Sequence, residues 1–229
     1  MSEALQESPL EAVGNAFDTE KMLFVRDRTR TALQTIAGRV VPGMVEEDAV
    51  EMAKDVLASL DMLQGWHGVY VRFGPNTMKT FGAESDPGVI LGKDDVFFID
   101  IGPVWQKWEG DSGETFAVGS DPLMQRAVID VETLFHTVRR LWLTTGTTGK
   151  ALYEFAVAEA ERMGWELNMD LSGHRLSDFP HAAIYDGPLA DVDFEPAPLL
   201  WVLEIHIRHP ERGFGAFYED MLLSDEYFR

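Results

Sequence analysis

Apolar residues first recur three or four positions apart along the chain and later alternate with polar residues. The helical spacing predicts a helix over 18–38, which Asp18 can cap, and a second helix over 46–63. Residues 1–16 form a polar lead-in to the first helix. The alternating spacing then predicts strands at 69–73, 96–101, 104–108 and 114–118.

The second half of the chain repeats this order of helices followed by strands. Asp121-Pro122 combines a capping carboxylate with proline at the first helical position, which is a strong helix start. We predict helices at 121–143 and 148–164, a short strand at 166–169, a loop-rich stretch at 171–198, and a hairpin of 201–208 with 216–223. This order is typical of an α+β fold, in which helices cover one face of a mostly antiparallel sheet. Because no linker or repeat interrupts the chain, we expect one domain over 1–229.

Charge and composition narrow the range of partners. The chain has 39 acidic and 19 basic residues and a formal net charge of -20, so it repels nucleic acid and anionic membrane surfaces but not metal cations. The absence of cysteine excludes Cys-ligated zinc and a thiol nucleophile. The N-terminus does not resemble a secretory signal, and no apolar run is long enough to span a membrane. We therefore expect a cytoplasmic protein whose partners include neither nucleic acid nor membrane.

Two aspartates are candidates for metal chemistry. Asp100 lies within an apolar predicted strand, where a carboxylate is costly unless a metal or another partner compensates it. Asp111 follows eleven residues later, and a hairpin can bring it beside Asp100. Alone, such a pair is more typical of caps, turns or solvated faces.

Histidines and glutamates later in the chain add to this set. His174 and His181 lie in one predicted loop, and alternation places Glu204 and His206 on one face of a predicted strand. Glu219 lies on the partner strand. A solvated strand face, or an edge acid that discourages aggregation, is the alternative interpretation. Taken together, two Asp, one His and two Glu could hold two divalent cations, and such carboxylate-rich sites suit manganese, iron, cobalt or zinc.

Five local motifs stand in an order that is familiar from one enzyme superfamily. They are Asp100 in a hydrophobic-Asp-x-Gly frame, the run from Asp111 to Gly119 (Asp-Ser-Gly-Glu-Thr-Phe-Ala-Val-Gly), Gly173-His174, the strand from Trp201 to Glu204, and the strand from Gly215 to Asp220. In this order the chain resembles, over about residues 20–225, the pita-bread metalloenzyme superfamily of methionine aminopeptidase, aminopeptidase P, prolidase and creatinase.

The resemblance implies a fold and a site. The fold is the pita-bread fold, with a curved, mostly antiparallel sheet covered by helices. Two divalent metal ions would be held by Asp100, Asp111, His174, Glu204 and Glu219. Glu204 would also move a proton, and His181 would stabilise the tetrahedral oxyanion, so both are catalytic candidates.

Several positions depart from the pattern of the peptidases in this superfamily. Those enzymes carry a histidine upstream of the first metal aspartate, and Phe81 or Gly82 stands there in this chain. His67, beside Trp66, could reach the cleft from the strand before Gly74, although a structural role is the commoner one for such a residue. The ligands are thus retained while the residues that handle a peptide have changed. Candidate substrate contacts are His206, Arg208, Arg175, Phe81 and Phe217.

Three functions are compatible with this sequence. The first is a metal-dependent hydrolase of an amide or other C–N bond in a small-molecule or peptide-like substrate. The second is a non-peptidase metalloenzyme on the same fold, either a lyase or a specialised biosynthetic enzyme, which the missing histidine favours. The third is a catalytically inactive binding module, which the complete set of ligand positions disfavours. We also expect a homodimer, in which a partner subunit covers a sheet edge or the rim of the cleft.

Overall fold

The computed structural model describes residues 8–62 and 65–227, and the statements below concern these residues. The helices are α1 (Thr19–Ala37), α2 (Glu46–Ser59), α3 (Pro122–Thr145) and α4 (Gly149–Met163). The strands are β1 (Val69–Phe73), β2 (Asp95–Ile101), β3 (Val104–Trp105), β4 (Trp108–Glu109), β5 (Ser112–Val118), β6 (Glu166–Leu167), β7 (His174–Arg175), β8 (Trp201–Arg208) and β9 (Gly215–Met221). Short 3-10 turns lie at Pro9–Glu11, Gly74–Met78 and Leu189–Asp191.

Side-chain caps explain why α1, α3 and α4 begin where the sequence predicts. Asp18 accepts hydrogen bonds from the backbone N–H groups of the first turn of α1, and Asp121 does the same for α3. Thr148 caps α4 in the same way. At the other end of α3, Gly146 adopts a left-handed conformation with φ of 60°, which ends the helix at low steric cost. The helix α2 ends at Ser59, earlier than predicted.

One predicted strand is wrong. The segment 104–108 is not continuous, because β3 and β4 fold back on each other as a two-stranded ladder. The turn between them has Gln106 and Lys107 at φ of 48° and 71°. Turns of this kind normally carry glycine, asparagine or aspartate, so Gln106 and Lys107 do not indicate a turn in the sequence. The turn returns the chain toward β2 and so places Asp111 close to the end of that strand.

The main sheet is antiparallel throughout, in the order β1-β2-β5-β9-β8-β6, with β7 also paired to β8. Helices cover one of its faces. The helices α3 and α4 pack on β8 and β9 through residues such as Phe135, Tyr153 and Ile205, and α1 and α2 pack on β1 and β2 through residues such as Leu33 and Ile99. Because side chains alternate along a strand, the residues between these apolar positions face the opposite side. In the described residues, no helix is both long and apolar enough to cross a membrane.

Candidate metal centre

Three adjacent strand pairs bring acidic side chains into one row on the face of the sheet opposite the helices. In the register of the sheet, Asp100 pairs with Gly113, Gly113 with Glu219, and Glu219 with Glu204. Neighbouring strands lie about 4.8 Å apart, so these carboxylates are held within a short distance of each other. Gly113 leaves space between them, because a Cβ atom there would come within 3.0 Å of Glu219 Cγ and would clash with the Phe217 ring. The strand pairing therefore builds the acidic centre.

Asp111 and His174 complete this centre from two loop ends. Asp111 is fully buried just before β5, and its Oδ2 lies 3.1 Å from His174 Nε2. His174 follows Gly173, whose φ of +72° and proximity to the backbone of Val202 leave no room for a side chain. The Gly173 N–H also donates a hydrogen bond of 2.7 Å to Glu204 Oε2. This glycine thus orients the imidazole and one of the carboxylates.

The electrostatics of the centre fit divalent cations. Within the part of the chain that the structure describes, Asp111 Oδ1 and Glu219 Oε1 are buried without a hydrogen-bond partner, and Asp100 Oδ1 and Asp111 Oδ2 have only imidazole nitrogens beside them. Burial, followed by the charges of Asp111, Asp100 and Glu204, raises the pKa of Glu219 well above its usual value. A bound divalent cation would favour the ionised form of these carboxylates and offset their mutual repulsion. Carboxylate oxygens with imidazole nitrogen are a donor set that manganese, iron, cobalt or zinc would satisfy.

A second histidine reaches the centre from the other side. His67 Nε2 lies 3.2 Å from Asp100 Oδ1, and ligand atoms of His67, Asp100 and Asp111 all lie within 4.8 Å of one another. Burial alone lowers the pKa of His67, but the charges of Asp100 and Asp111 outweigh it and raise the pKa to about 10. None of the five motifs includes His67. Its place beside Asp100 follows from the strand register, because Val69 pairs with Ile101 and the chain before β1 therefore lies beside the end of β2.

The sequence matches one protein family over nearly its full length. A model of the Metallopeptidase family M24 matches residues 20–226. The chain belongs to this family. A search of curated proteins finds no match. The family resemblance inferred from the five motifs is therefore confirmed.

Solved structures of M24 enzymes share the fold of this chain. The X-Pro aminopeptidase from Thermotoga maritima superposes with a TM-score of 0.72 at 18% identity, covering 93% of this chain and 63% of that one. The prolidase from Pyrococcus horikoshii superposes with a TM-score of 0.67 at 16% identity, and the match covers 93% of this chain and 60% of the prolidase. Methionine aminopeptidase from Thermotoga maritima superposes with a TM-score of 0.70 at 16% identity, and the match covers 94% of this chain and 100% of that enzyme. The chain thus spans about three fifths of the prolidase and X-Pro aminopeptidase chains, and the pita-bread fold is confirmed.

His181 lies in the loop that follows β7 in this M24 chain. Its ring packs on Phe179, with ring centroids 3.7 Å apart, and its Nε2 lies 2.9 Å from the Ser177 carbonyl oxygen. Its Nδ1 is buried and, in the described residues, has no hydrogen-bond partner. These contacts hold the ring in the loop, and its catalytic role stays a prediction.

Glu109 fastens this loop and was not singled out from the sequence. Its Oε2 accepts hydrogen bonds from the backbone N–H groups of Ser177 and Asp178, at 2.6 and 3.0 Å. Burial and then the charge of Asp111 raise the pKa of Glu109 to about 7. Its position two residues before Asp111 couples the loop with the metal centre. Only the tight turn between β3 and β4 places it there, which explains why the sequence pattern did not reveal it.

The five candidate substrate contacts occupy different environments. Arg175 donates to the carbonyl oxygens of Leu10 and Glu11 and so secures the N-terminal turn. His206 is fully buried, with Nδ1 2.9 Å from Asn168 Nδ2 and Nε2 2.7 Å from the Thr77 carbonyl oxygen. A substrate contact through either ring nitrogen would require one of these bonds to break.

The other three candidates surround or flank the centre. Phe217 is fully buried next to Phe98 and His206. Phe81 is 39% exposed and packs against His67, with ring centroids 5.1 Å apart. Arg208 lies at the end of β8, opposite Glu166. Of the five, Phe81 combines exposure with contact to a residue of the centre.

Proposed function

We propose that this chain is a metal-dependent hydrolase that cleaves an amide or other C–N bond in a small-molecule or peptide-like substrate. The observation that carries the proposal is the row of buried carboxylate oxygens that lack hydrogen-bond partners in the described residues. Membership of the Metallopeptidase family M24 supports the same class of reaction. Two divalent ions would be held by Asp100, Asp111, His174, Glu204 and Glu219.

The bound metal ions would supply an activated water and polarise the scissile carbonyl group. Glu204 would move a proton from the attacking water to the leaving nitrogen, and the Gly173 N–H, which donates to its Oε2, would hold the carboxylate in position. His181 would stabilise the developing oxyanion by donating from its Nε2–H, which would have to leave the Ser177 carbonyl oxygen 2.9 Å away. For this, the loop must hold the ring in place, and the two hydrogen bonds to Glu109 anchor that loop.

The substrate would enter through an open cleft of about 480 Å³ beside His174. Its walls include Trp66, Ile184 and Tyr185, and Trp66 and Ile184 are 51% and 72% exposed. Apolar and aromatic walls around a polar centre are typical of sites for small ligands. The cleft therefore favours a substrate with an apolar group next to the bond that is cleaved.

A non-peptidase reaction at the same centre, such as a lyase reaction, is the second candidate. It is favoured by the environment of Phe81, which packs on His67 and Tyr70 where the resemblance would place the peptidases' histidine. A substrate panel of aminoacyl amides, Xaa-Pro and Met-initiated peptides, and small lyase substrates separates the two. Strong turnover of Xaa-Pro or Met-initiated peptides would count against the second candidate.

The metal content of the purified protein tests the proposal first. We expect about two equivalents of manganese, iron, cobalt or zinc per chain by elemental analysis. Asp100→Ala and Glu204→Ala should each lose bound metal and turnover while retaining the fold, because each removes a ligand from the row. Glu211→Ala, at an exposed glutamate of the β8–β9 turn, is the control and should bind metal normally. Absence of tight metal binding in the unmodified protein would contradict the proposal.

A further inference from the structure

We propose that His67 is itself a metal ligand, which completes a His67–Asp100–Asp111 site for one of the two ions. The inference rests on the proposed function, because it assumes that the centre binds metal. Metal–ligand bonds of about 2.0–2.2 Å place any two ligands of one ion within roughly 4.4 Å of each other. The 4.8 Å span of His67, Asp100 and Asp111 is close to that limit without any change of backbone. The side chains of His67 and Asp100 are 4% and 7% exposed, so water competes little for the site.

The other ring nitrogen of His67 has two backbone neighbours. Nδ1 lies 2.5 Å from the Gly68 carbonyl oxygen, and the Gly102 N–H points to it from 3.1 Å. A proton on Nδ1 is donated to the Gly68 oxygen, whereas the Gly102 N–H can donate only to an unprotonated Nδ1, so the two contacts belong to different tautomers. In the tautomer with the proton on Nδ1, the lone pair of Nε2 faces Asp100 and Asp111, and this is the form that would bind a metal ion. A second hydrogen bond of this kind, from the other imidazole nitrogen to a carbonyl, is what metal-binding histidines usually have.

The surroundings of His67 are built to hold the ring in this position. A Cβ atom on Gly102 would come within 2.7 Å of His67 Cγ, so glycine at that position makes room for the imidazole. Trp66, Tyr70 and Phe81 surround the ring, with centroids 5.3, 6.0 and 5.1 Å away. The ring is thus packed on apolar faces, and its Nε2 side is directed to the two carboxylates.

Both ions would then have an imidazole ligand. His67 would serve the ion next to Asp100, and His174, 3.1 Å from Asp111 on the opposite side, would serve the other. Each added imidazole shifts the preference of a carboxylate site from manganese toward iron, cobalt and zinc. The centre of this chain would therefore differ from one built from the five motif residues alone.

Cobalt(II) substitution tests this without relying on activity. Metal-free protein is titrated with cobalt(II), and the number of bound ions and their Kd are measured by visible absorption and calorimetry. His67→Phe keeps an aromatic ring among Trp66, Tyr70 and Phe81 but removes the proposed ligand. It should raise the Kd of one of the two ions at least tenfold. His136→Ala, which removes a half-buried histidine of α3 outside the metal centre, is the matched control and should bind as the unmodified protein does.

The unmodified protein provides a second test that does not depend on folding of a variant. Cobalt(II) shifts the exchangeable N–H signal of each coordinated imidazole far outside the normal proton NMR range. Two such signals are expected, from His67 and His174, whereas one signal would overturn the inference. If His67→Phe binds both ions with the same Kd values as the unmodified protein, the inference is also overturned, while the proposed function remains intact. No cobalt binding in the unmodified protein would instead contradict the proposed function.

Discussion

At the scale of single residues, the metal centre depends on a glycine as much as on its acids. Gly113 stands between Asp100 and Glu219 in the sheet. Gly113→Ala should push Glu219 out of the row, because the new Cβ would lie 3.0 Å from Glu219 Cγ and against the Phe217 ring. We expect metal affinity to fall at least about tenfold, as for loss of a supporting contact, and stability to fall by about 1–3 kcal/mol from overpacking.

Cobalt(II) titration and urea denaturation measure these two effects. Gly213→Ala is the matched control, since nothing lies within 4 Å of a Cβ built at Gly213. Equal metal affinity in the two variants would show that the glycine is not needed to assemble the centre.

The residues of the metal centre differ in how far their roles could be predicted from the sequence. Asp100 could be selected because a carboxylate in an apolar strand needs compensation, and this cost is visible in the pattern alone. The role of His67 could not be inferred in this way, because it depends on which residue of β2 lies beside the segment that leads into β1. Register is set by long-range pairing, which one sequence does not show. Glu109 was missed for a similar reason, since it depends on a turn with no glycine in it.

At the scale of secondary structure elements, an ion pair connects helix α1 with the strand that carries Glu219. Arg26 donates from Nε and Nη2 to the two carboxylate oxygens of Asp220, at 2.8 and 2.6 Å, and both residues are buried. Arg26→Leu should destabilise the protein by about 3 kcal/mol, at the lower end of the range for breaking a buried pair, because Arg30 still contacts Asp220 at 3.0 Å. Urea denaturation measures this difference.

Arg39→Leu is the control for this pair, because Arg39 is exposed just beyond the end of α1. A loss of less than about 1 kcal/mol in Arg26→Leu would mean that the pair behaves like a surface salt bridge. In that case, α1 would hold β9 through apolar packing alone.

Element boundaries were predictable to different extents. The starts of α1, α3 and α4 could be predicted because the capping residues Asp18, Asp121 and Thr148 are recognisable in the sequence. The order of strands in the sheet could not be derived from alternation, because β9 inserts between β5 and β8 although it is last in the chain. That arrangement, which brings Glu219 beside Asp100, was accessible only through the resemblance to a known family.

At the scale of the whole molecule, the proposed centre concentrates negative charge in a protein whose formal net charge is already -20. Asp100, Asp111, Glu204 and Glu219 are all buried, and no arginine or lysine pairs with any of them in the described residues. Their mutual repulsion opposes folding of the metal-free chain. Metal binding and global stability should therefore be linked.

Removal of metal should consequently lower the thermal stability of the protein. A ligand present at a hundred times its Kd stabilises the folded state by about 2.7 kcal/mol, which for a chain of this size raises Tm by roughly 5–11 °C. Scanning calorimetry before and after chelation, and after adding back manganese or cobalt, measures the shift. The Asp100→Ala variant should show little of this shift, because its centre lacks a ligand. Equal Tm values for the unmodified protein with and without metal would contradict the linkage, and a shift of full size in Asp100→Ala would place the stabilising ion elsewhere on this acidic surface.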